Sequence, residues 1–219
     1  MEQAQETFSA ATDSRIIQAY KEYLLNYGYQ PASVYKFAAE LGISEDEFYK
    51  HFGSFDGIEN SIWKEFINNT IQALERDEAF ASFSSKDKIL TFYFALFEEL
   101  KKSRSFVLLQ LKNHRKLEFT PTFLKEFRST FEKFISGILE EGKASGEVAR
   151  RPFFDKRYAG VFWFHLGFLL LFWRDDNSAG FEKTDAAIEK SVNLAFDLIG
   201  KGAFDSVVDF AKFLYQTKA

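Results

Sequence analysis

Apolar residues recur at spacings of three and four along almost the whole chain, and this periodicity constrains the fold more than any other feature. Such spacing places side chains on one face of an α-helix. Proline occurs only at positions 31, 121 and 152, and no Asn-Gly or Asp-Gly hairpin signal is present. The pattern therefore predicts an all-α protein of about nine to ten helices without a sheet. The clearest stripes are 16/20/23/27, 58/62/66, 123/127/131/134/138, 188/192/196/199 and 204/207/208/211/214.

Small polar residues precede these stripes and glycines follow them, at the positions where helices should begin and end. Serine or threonine side chains just before a stripe are typical N-caps, and glycine just after a stripe is typical of a helix end. The predicted N-caps are Ser33, Ser44, Ser54, Ser85 and Thr184. The predicted helix ends are Gly28, Gly42, Gly142 and Gly200.

Composition excludes several classes of protein. With no cysteine among 219 residues, the chain can form neither a disulfide nor a thiolate metal site. It begins with a polar, acidic stretch instead of a secretion signal, so we expect a cytoplasmic protein. Its most apolar run, residues 158–173, is shorter than the roughly 20 residues of a membrane span, which predicts a buried helix and no membrane partner. The 28 phenylalanines indicate a core built from aromatic rings.

Residues 14–58 carry the functional signal. They are predicted to form a helix that ends at Gly28, a short helix from Ser33 to Glu40, a tight turn around Gly42, and a second short helix from Ser44 to Lys50. Two short helices joined by a three-residue turn with a central glycine are typical of a helix-turn-helix. The outer face of the second short helix would then be exposed.

This segment resembles the TetR (tetracycline-repressor-like) family of bacterial regulators over roughly residues 14–60. The resemblance implies an N-terminal three-helix DNA-binding domain over residues 1–57, with a tail at 1–13. A larger helical-bundle domain over residues 58–219 would bind an effector and form a dimer. The matching pieces are Ile16-Ile17-Gln18-Ala19, Tyr27-Gly28-Tyr29, Ser33-Val34, Phe37-Ala38, Leu41-Gly42-Ile43-Ser44 and Phe48-Tyr49-Lys50-His51-Phe52, with Phe48 in the place of the family's leucine.

The same resemblance implies which residues would contact DNA. The helix from Ser44 to His51 is similar to the family's recognition helix, and Tyr49 and His51 fall where the family's tyrosine and histidine contact phosphates. Ser33 lies at the N-terminus of the preceding helix, where its hydroxyl and nearby amides would also meet a phosphate. The complete set of candidate DNA-binding residues is Ser33, Ser44, Glu45, Asp46, Glu47, Tyr49, Lys50 and His51.

Two departures from the family pattern support an alternative function. Phe55 stands where the family commonly has a lysine that contacts phosphate. Residues 1–60 carry four basic and ten acidic side chains, a net charge of −6, which is the wrong sign for a strong DNA-binding protein. Three of the acids open the recognition helix, where a capping box from Ser44 and Glu47 also accounts for them. The alternative is a degenerate helix-turn-helix protein with weak or no DNA binding, acting as a ligand-binding or protein-interaction module.

The larger domain suggests a dimer and an apolar effector. Residues 158–173 are apolar on every side and must be covered, so we expect them to form a homodimer seam together with 183–200. His165 lies within this run, either as a core histidine or as a polar contact in an apolar pocket. The candidate pocket for a small apolar or aromatic effector consists of Phe94, Phe97, Phe127, Phe131, Trp163, Phe164 and His165, all of which could equally be core.

No catalytic site is evident in the sequence. The three histidines, at positions 51, 114 and 165, lack the short spacing of metal ligands, so no metal site and no cofactor are expected. Adjacent carboxylates point apart on a helix, and no nucleophile motif is present. The sequence therefore predicts a non-enzymatic protein, and the resemblance implies a TetR-like, ligand-responsive repressor that acts as a homodimer.

Overall fold

The structure is a computed structural model that describes residues 2–113, 121–151 and 157–200. Within these ranges the chain forms nine α-helices and no strand, which confirms the predicted all-α class. The stripe at 204–214 lies outside the described residues. The helices are α1 (Glu2–Tyr27), α2 (Val34–Leu41), α3 (Glu45–His51), α4 (Phe55–Glu75), α5 (Ser85–Lys101), α6 (Arg104–Asn113), α7 (Lys125–Ser145), α8 (Tyr158–Asp175) and α9 (Glu182–Ile199), with 3-10 turns at Phe80–Ser82, Thr122–Leu124 and Ala179–Phe181.

The chain divides into two compact units. The first comprises Met1–Asn68 and Glu99–Arg128, and the second comprises Asn69–Glu98 and Ser129–Ala219. α4 runs without interruption through residue 57, where the sequence predicts a domain boundary. α6 belongs to the first unit, in which it contacts α1. Lys21 Nζ of α1 also donates to Ser103 Oγ, just before α6, at 3.1 Å. The two compact units are defined by packing and do not test a functional boundary, so the division at residue 57 stays a prediction.

The core of the first unit is centred on Trp63 of α4. Its indole is fully buried, and its ring centroid lies 5.6 Å from both Phe123 and Phe127 and 5.8 Å from Phe66. Edge-to-face aromatic contacts at such distances contribute beyond simple burial of apolar area.

The second unit has its own aromatic core. Phe131 of α7 packs against Phe92 at 5.8 Å and against Trp163 of α8 at the same distance. Trp173, at the other end of α8, packs on Phe97 and Phe181. The predicted use of phenylalanine as the main core residue is thus realised in both units.

Several predicted helix starts are confirmed, and one is displaced by a residue. The hydroxyls of Ser33, Ser44 and Ser54 each accept a hydrogen bond from the backbone N–H three residues later, as N-cap side chains do. The prediction for Ser85 is wrong, because Ser84 takes that position and accepts from the Asp87 amide at 3.1 Å. Ser85 instead points inward and donates to the Ile138 carbonyl.

Thr184 is also wrong as a predicted N-cap, because α9 begins two residues earlier, at Glu182. The buried carboxylate of Asp176 accepts from the Thr184 amide at 2.9 Å and from its hydroxyl at 2.7 Å. Hydrogen bonds from Ser178 help to hold the pKa of Asp176 well below its usual range. The start of α9 is therefore fixed by a residue that precedes the helix by six positions.

Gly142 was expected at a helix end but lies inside α7, which continues to Ser145. A Cβ at this position would come within 2.7 Å of Val148 Cγ2 and 2.8 Å of Ser85 Oγ. Glycine is therefore required by the close approach of α5 to α7. Gly28 and Gly42 do follow helices, as predicted, and both have positive φ.

We expect Gly142→Ala to lower the free energy of unfolding by about 2 kcal/mol, because the added methyl overpacks this contact. Gly137→Ala in the same helix is the matched control, since a Cβ there meets no atom within 4 Å. Alanine should stabilise that exposed helical position by about 0.5–1 kcal/mol. Urea denaturation of the two variants checks the sign of each change, and a stable Gly142→Ala protein would contradict the packing argument.

Candidate functional site

The predicted helix-turn-helix is formed by α2, the turn at Gly42, and α3. Gly42 has φ +71°, a left-handed conformation that ends α2 at little cost for glycine. The amide of Ile43 then donates to the Ala38 carbonyl at 3.0 Å, which closes the turn. Ser44 caps α3 by accepting from the Glu47 amide at 3.0 Å.

Phe48 anchors the inner face of α3 and leaves the outer face exposed. Its buried ring lies 6.2 Å from Phe37 and 6.3 Å from Phe52. Phe55, which replaces the family's lysine, completes this cluster by stacking on Tyr20 at 5.4 Å. From the sequence, Phe55 is expected only to cost a phosphate contact. In the structure its ring is part of the aromatic core of the helix-turn-helix.

Each candidate DNA-binding donor on α3 is paired with an acid. The Tyr49 hydroxyl donates to Glu45 Oε1 at 3.3 Å, and Lys50 Nζ lies 2.8 Å from Glu47 Oε2. Hydrogen bonds from Lys50 and then His51 lower the pKa of Glu47, and the bond to Glu47 raises the pKa of Lys50. A phosphate group that binds here must therefore compete with carboxylates already in place.

His51 connects α3 to α1. Its Nδ1 lies 2.5 Å from Asp13 Oδ1 and its Nε2 lies 3.3 Å from Glu47 Oε1. Asp46 is far more accessible than Glu47, with 90% of its side chain exposed against 32% for Glu47. Of the eight candidate residues, Ser33 caps α2, Ser44 caps α3 and the other six lie on α3, and their contact with DNA stays a prediction.

The candidate effector-binding residues do not all lie together. Phe94, Phe97, Phe131, Trp163 and His165 belong to the second unit, whereas Phe127 belongs to the first and packs on Trp63. Phe164 is on the surface of α8, 57% exposed. A separate groove of about 330 Å³ lies at the C-terminal end of α8. It is lined by Phe168, Leu171, Phe172, Asp175, Asp176, Asn177 and Lys183.

His165 is held by hydrogen bonds on both ring nitrogens. Nδ1 lies 3.1 Å from the Tyr93 hydroxyl, and Nε2 lies 2.7 Å from Ser191 Oγ. Burial lowers the pKa of His165 to about 4, so the ring is neutral at pH 7. Sequence reasoning identified the histidine but not these partners, because they lie 72 and 26 residues away along the chain.

This lowered pKa predicts a loss of stability in mild acid. The unfolded chain takes up a proton on His165 near pH 6.5, whereas the folded chain does so only near pH 4. Stability is therefore retained above pH 6.5 and lost as the pH falls towards 4, by about 2 kcal/mol after allowance for the exposed part of the ring. His165→Gln should remove this component of the pH dependence, as measured by urea denaturation between pH 7 and pH 4. Parallel pH profiles for both proteins would refute the assignment.

α8 and α9, which pack against each other, both carry exposed apolar side chains. The exposed residues of α8 recur at positions 161, 164, 168, 171 and 172, and those of α9 at 194 and 198. Gly160 and Gly167 lie among them on α8, and no side-chain or backbone atom occupies the space where a Cβ would project. We call this set the α8–α9 face. Exposed apolar side chains concentrated on two neighbouring helices in this way are typical of an interaction site.

Two further features bear on function within the described ranges. No cluster of three or more histidine, aspartate or glutamate side chains there is arranged to hold a metal ion. None of the helices in these residues is both long enough and apolar enough to cross a membrane.

Comparison with known proteins identifies the fold. The family model of the tetracyclin repressor-like C-terminal domain matches residues 88–214. Among solved structures, FadR of Thermus thermophilus, a TetR-family transcriptional repressor in complex with lauroyl-CoA, matches with a TM-score of 0.65 and 16% identity over 87% of this chain and 95% of its own. The fatty acid degradation regulator FadR of Bacillus halodurans matches with a TM-score of 0.61 and 17% identity over 84% and 94%.

A third similar structure is the TetR-family regulator PfmR of Thermus thermophilus, with a TM-score of 0.52 and 22% identity over 86% of this chain and all of its own. A search of curated proteins finds no match. The structural neighbours support the fold, and the family model covers more than half of the sequence. Together with the N-terminal helix-turn-helix, this match shows that the chain belongs to the TetR family.

Proposed function

We propose that the protein is a DNA-binding transcriptional regulator that acts as a homodimer and responds to an apolar ligand. The observation that carries this proposal is the geometry of α2 and α3. Gly42 and Ser44 fix the turn, Phe48 buries one side of α3, and the opposite side is left open to solvent. A helix presented in this way fits the major groove of DNA.

The direct test is selection of random DNA fragments on the purified protein. We expect enrichment of a palindrome, because a symmetric dimer reads two half-sites. Lys36 and Lys50 of both copies would neutralise about four phosphates, so affinity should fall on the order of a hundredfold between 50 and 200 mM salt. Enrichment of no sequence at low salt would exclude this function.

The acid pairs on α3 favour a second candidate function, a module that keeps the fold without specific DNA binding. Replacing Glu45, Asp46 and Glu47 by Gln, Asn and Gln separates the two functions. A specific DNA reader should change its preferred sequence, because a carboxylate on a recognition helix can accept from cytosine N4. The alternative module should show no preferred sequence before the change and gain only salt-sensitive, nonspecific affinity after it.

The class of ligand is proposed from the aromatic interior of the second unit and from a ligand bound to a structural neighbour. Its phenylalanine-rich interior suits an aliphatic or aromatic chain, and one neighbour of the same fold is a complex with lauroyl-CoA. We therefore propose a fatty acyl compound as effector. Addition of lauroyl-CoA should release the selected DNA, whereas free coenzyme A should not, because it lacks the apolar chain. DNA binding that is indifferent to lauroyl-CoA would reject this ligand class.

A further inference from the structure

A buried carboxyl group joins three elements of the first unit. Glu59 of α4 is 1% exposed, and its Oε1 accepts from the Tyr20 hydroxyl of α1 at 2.6 Å and from Gln110 Nε2 of α6 at 2.8 Å. Gln30, in the loop before α2, donates to the same oxygen at 3.1 Å. Tyr20 and Gln110 are also buried. Burial, followed by the neighbouring Glu59, raises the pKa of the Tyr20 hydroxyl, so it remains a donor throughout the physiological range.

α1 is tied at its middle to the helix-turn-helix by polar contacts. Asp13 lies against His51 of α3, and Arg15 Nη2 donates to the Leu41 carbonyl at the end of α2 at 2.5 Å. We call α1, α2 and α3 together the head. These contacts, and the ring cluster around Phe48, bind the three helices of the head to one another.

One to two turns further along, the same helix is tied to α4 and α6. Tyr20 reaches Glu59, and the Lys21 ammonium donates to Ser103 and lies 5.8 Å from the ring of Phe66 and 5.7 Å from that of Phe106. α1 therefore contacts the recognition helix α3 near residue 13, and it contacts α4 and α6 near residues 20 and 21. Coupling between distant sites requires a physical connection of this type.

We propose that Glu59, through its hydrogen bonds from Tyr20 and Gln110, is the positioning residue that sets the orientation of the head on α4 and α6. Its geometry supports this role, because one oxygen satisfies donors from α1, α6 and the loop before α2. Movement of α4 cannot carry Glu59 away from the head without breaking these buried bonds, and leaving buried donors unpaired is costly. The head therefore follows α4. The consequence for DNA affinity rests on the proposed function, whereas the consequence for orientation does not.

The test removes single hydrogen bonds and measures orientation directly. Tyr20→Phe deletes the bond from α1 and keeps the ring, and Gln110→Met deletes the bond from α6 at similar volume. Tyr23→Phe is the matched control: its ring also meets Phe37 edge-on, at 6.4 Å against 6.2 Å for Tyr20, and its hydroxyl makes no hydrogen bond within the described part of the chain. Because the chain has no cysteine, spin labels on Glu40→Cys in α2 and Lys112→Cys in α6 report one defined distance per copy, in samples diluted with unlabelled protein.

We expect a narrow distance distribution in the otherwise unchanged protein and in Tyr23→Phe, and a broadened or shifted one in Tyr20→Phe and Gln110→Met. Affinity for the selected DNA should fall about fivefold to tenfold in the last two variants only. A purely structural role would lower the melting temperature but leave the distance distribution unchanged, and that result would overturn the proposal. If no DNA is selected, the proposed function fails, and the distance measurement still decides the role of Glu59.

Discussion

Leu194→Glu is expected to convert the proposed homodimer to a monomer at micromolar concentration. Leu194, 58% exposed, is one of the two exposed large apolar residues that α9 contributes to the α8–α9 face, and it lies within the proposed dimer seam of 158–173 and 183–200. In a twofold interface each copy contributes the same residue, so one substitution buries two unpaired carboxylates. The dissociation constant should rise more than about a hundredfold. Sedimentation velocity over a range of concentrations measures it.

Leu25→Glu is the control for this prediction. Leu25 is similarly exposed, at 48%, but lies on α1 and outside the α8–α9 face. Leu25→Glu should leave the proposed dimer intact. That result would show that the dissociation caused by Leu194→Glu does not come simply from an added negative charge. Affinity of Leu194→Glu for the palindromic DNA should fall as well, because a monomer reads only one half-site. A Leu194→Glu protein that remains dimeric would place the interface elsewhere, and a monomeric unmodified protein would contradict the proposed dimer.

The second large effect is expected for Phe48→Ala. Its fully buried ring contacts Phe37, Phe52 and Phe55, so truncation leaves a cavity among aromatic side chains. The free energy of unfolding of the head should fall by about 3–5 kcal/mol. Because the cavity lies in the head, hydrogen exchange should accelerate in α2 and α3 while α8 and α9 keep their protection.

Tyr49, the next residue along α3, provides a comparison variant for the effect of Phe48→Ala on stability. Tyr49→Ala removes a half-exposed ring that meets Phe48 edge-on at 5.7 Å but leaves no enclosed cavity, so it should lower stability by about 1 kcal/mol or less. It should nevertheless weaken DNA binding, because Tyr49 is a candidate phosphate contact. Equal losses of stability in the two variants would mean that α3 is not buried on the side described, and an unchanged DNA affinity in Tyr49→Ala would remove that residue from the interface.

The local structure of the helix-turn-helix could be predicted well because its determinants are close in sequence. Gly42 supplies a left-handed conformation, and Ser33 and Ser44 cap helices through amides only three residues away. These are short-range effects, and the residue types alone indicate them. The same logic was wrong at Gly142, since the requirement for glycine there comes from Ser85 on another helix.

The features that could not be predicted from the sequence are contacts between residues that are far apart along the chain. The contacts of His165 with Tyr93 and Ser191, and the role of Phe55 in the aromatic cluster, depend on helices that meet only after folding. Glu59 did leave a signal in the sequence. It lies one turn before Trp63, on the side of α4 that continues through Ile67 and Thr70, all of which are buried. A carboxylate in such a stripe predicts buried hydrogen-bond donors, although their identity requires the structure.

The placement of the three tryptophans has a practical consequence. Trp63 lies in the core of the first unit, whereas Trp163 and Trp173 lie in the second. Intrinsic fluorescence therefore contains a separate optical probe for each unit, and replacing Trp63 or the other two by phenylalanine would isolate them. Emission from the two sets would show whether the units melt together or in sequence, and whether an acyl ligand quenches one probe before the other responds.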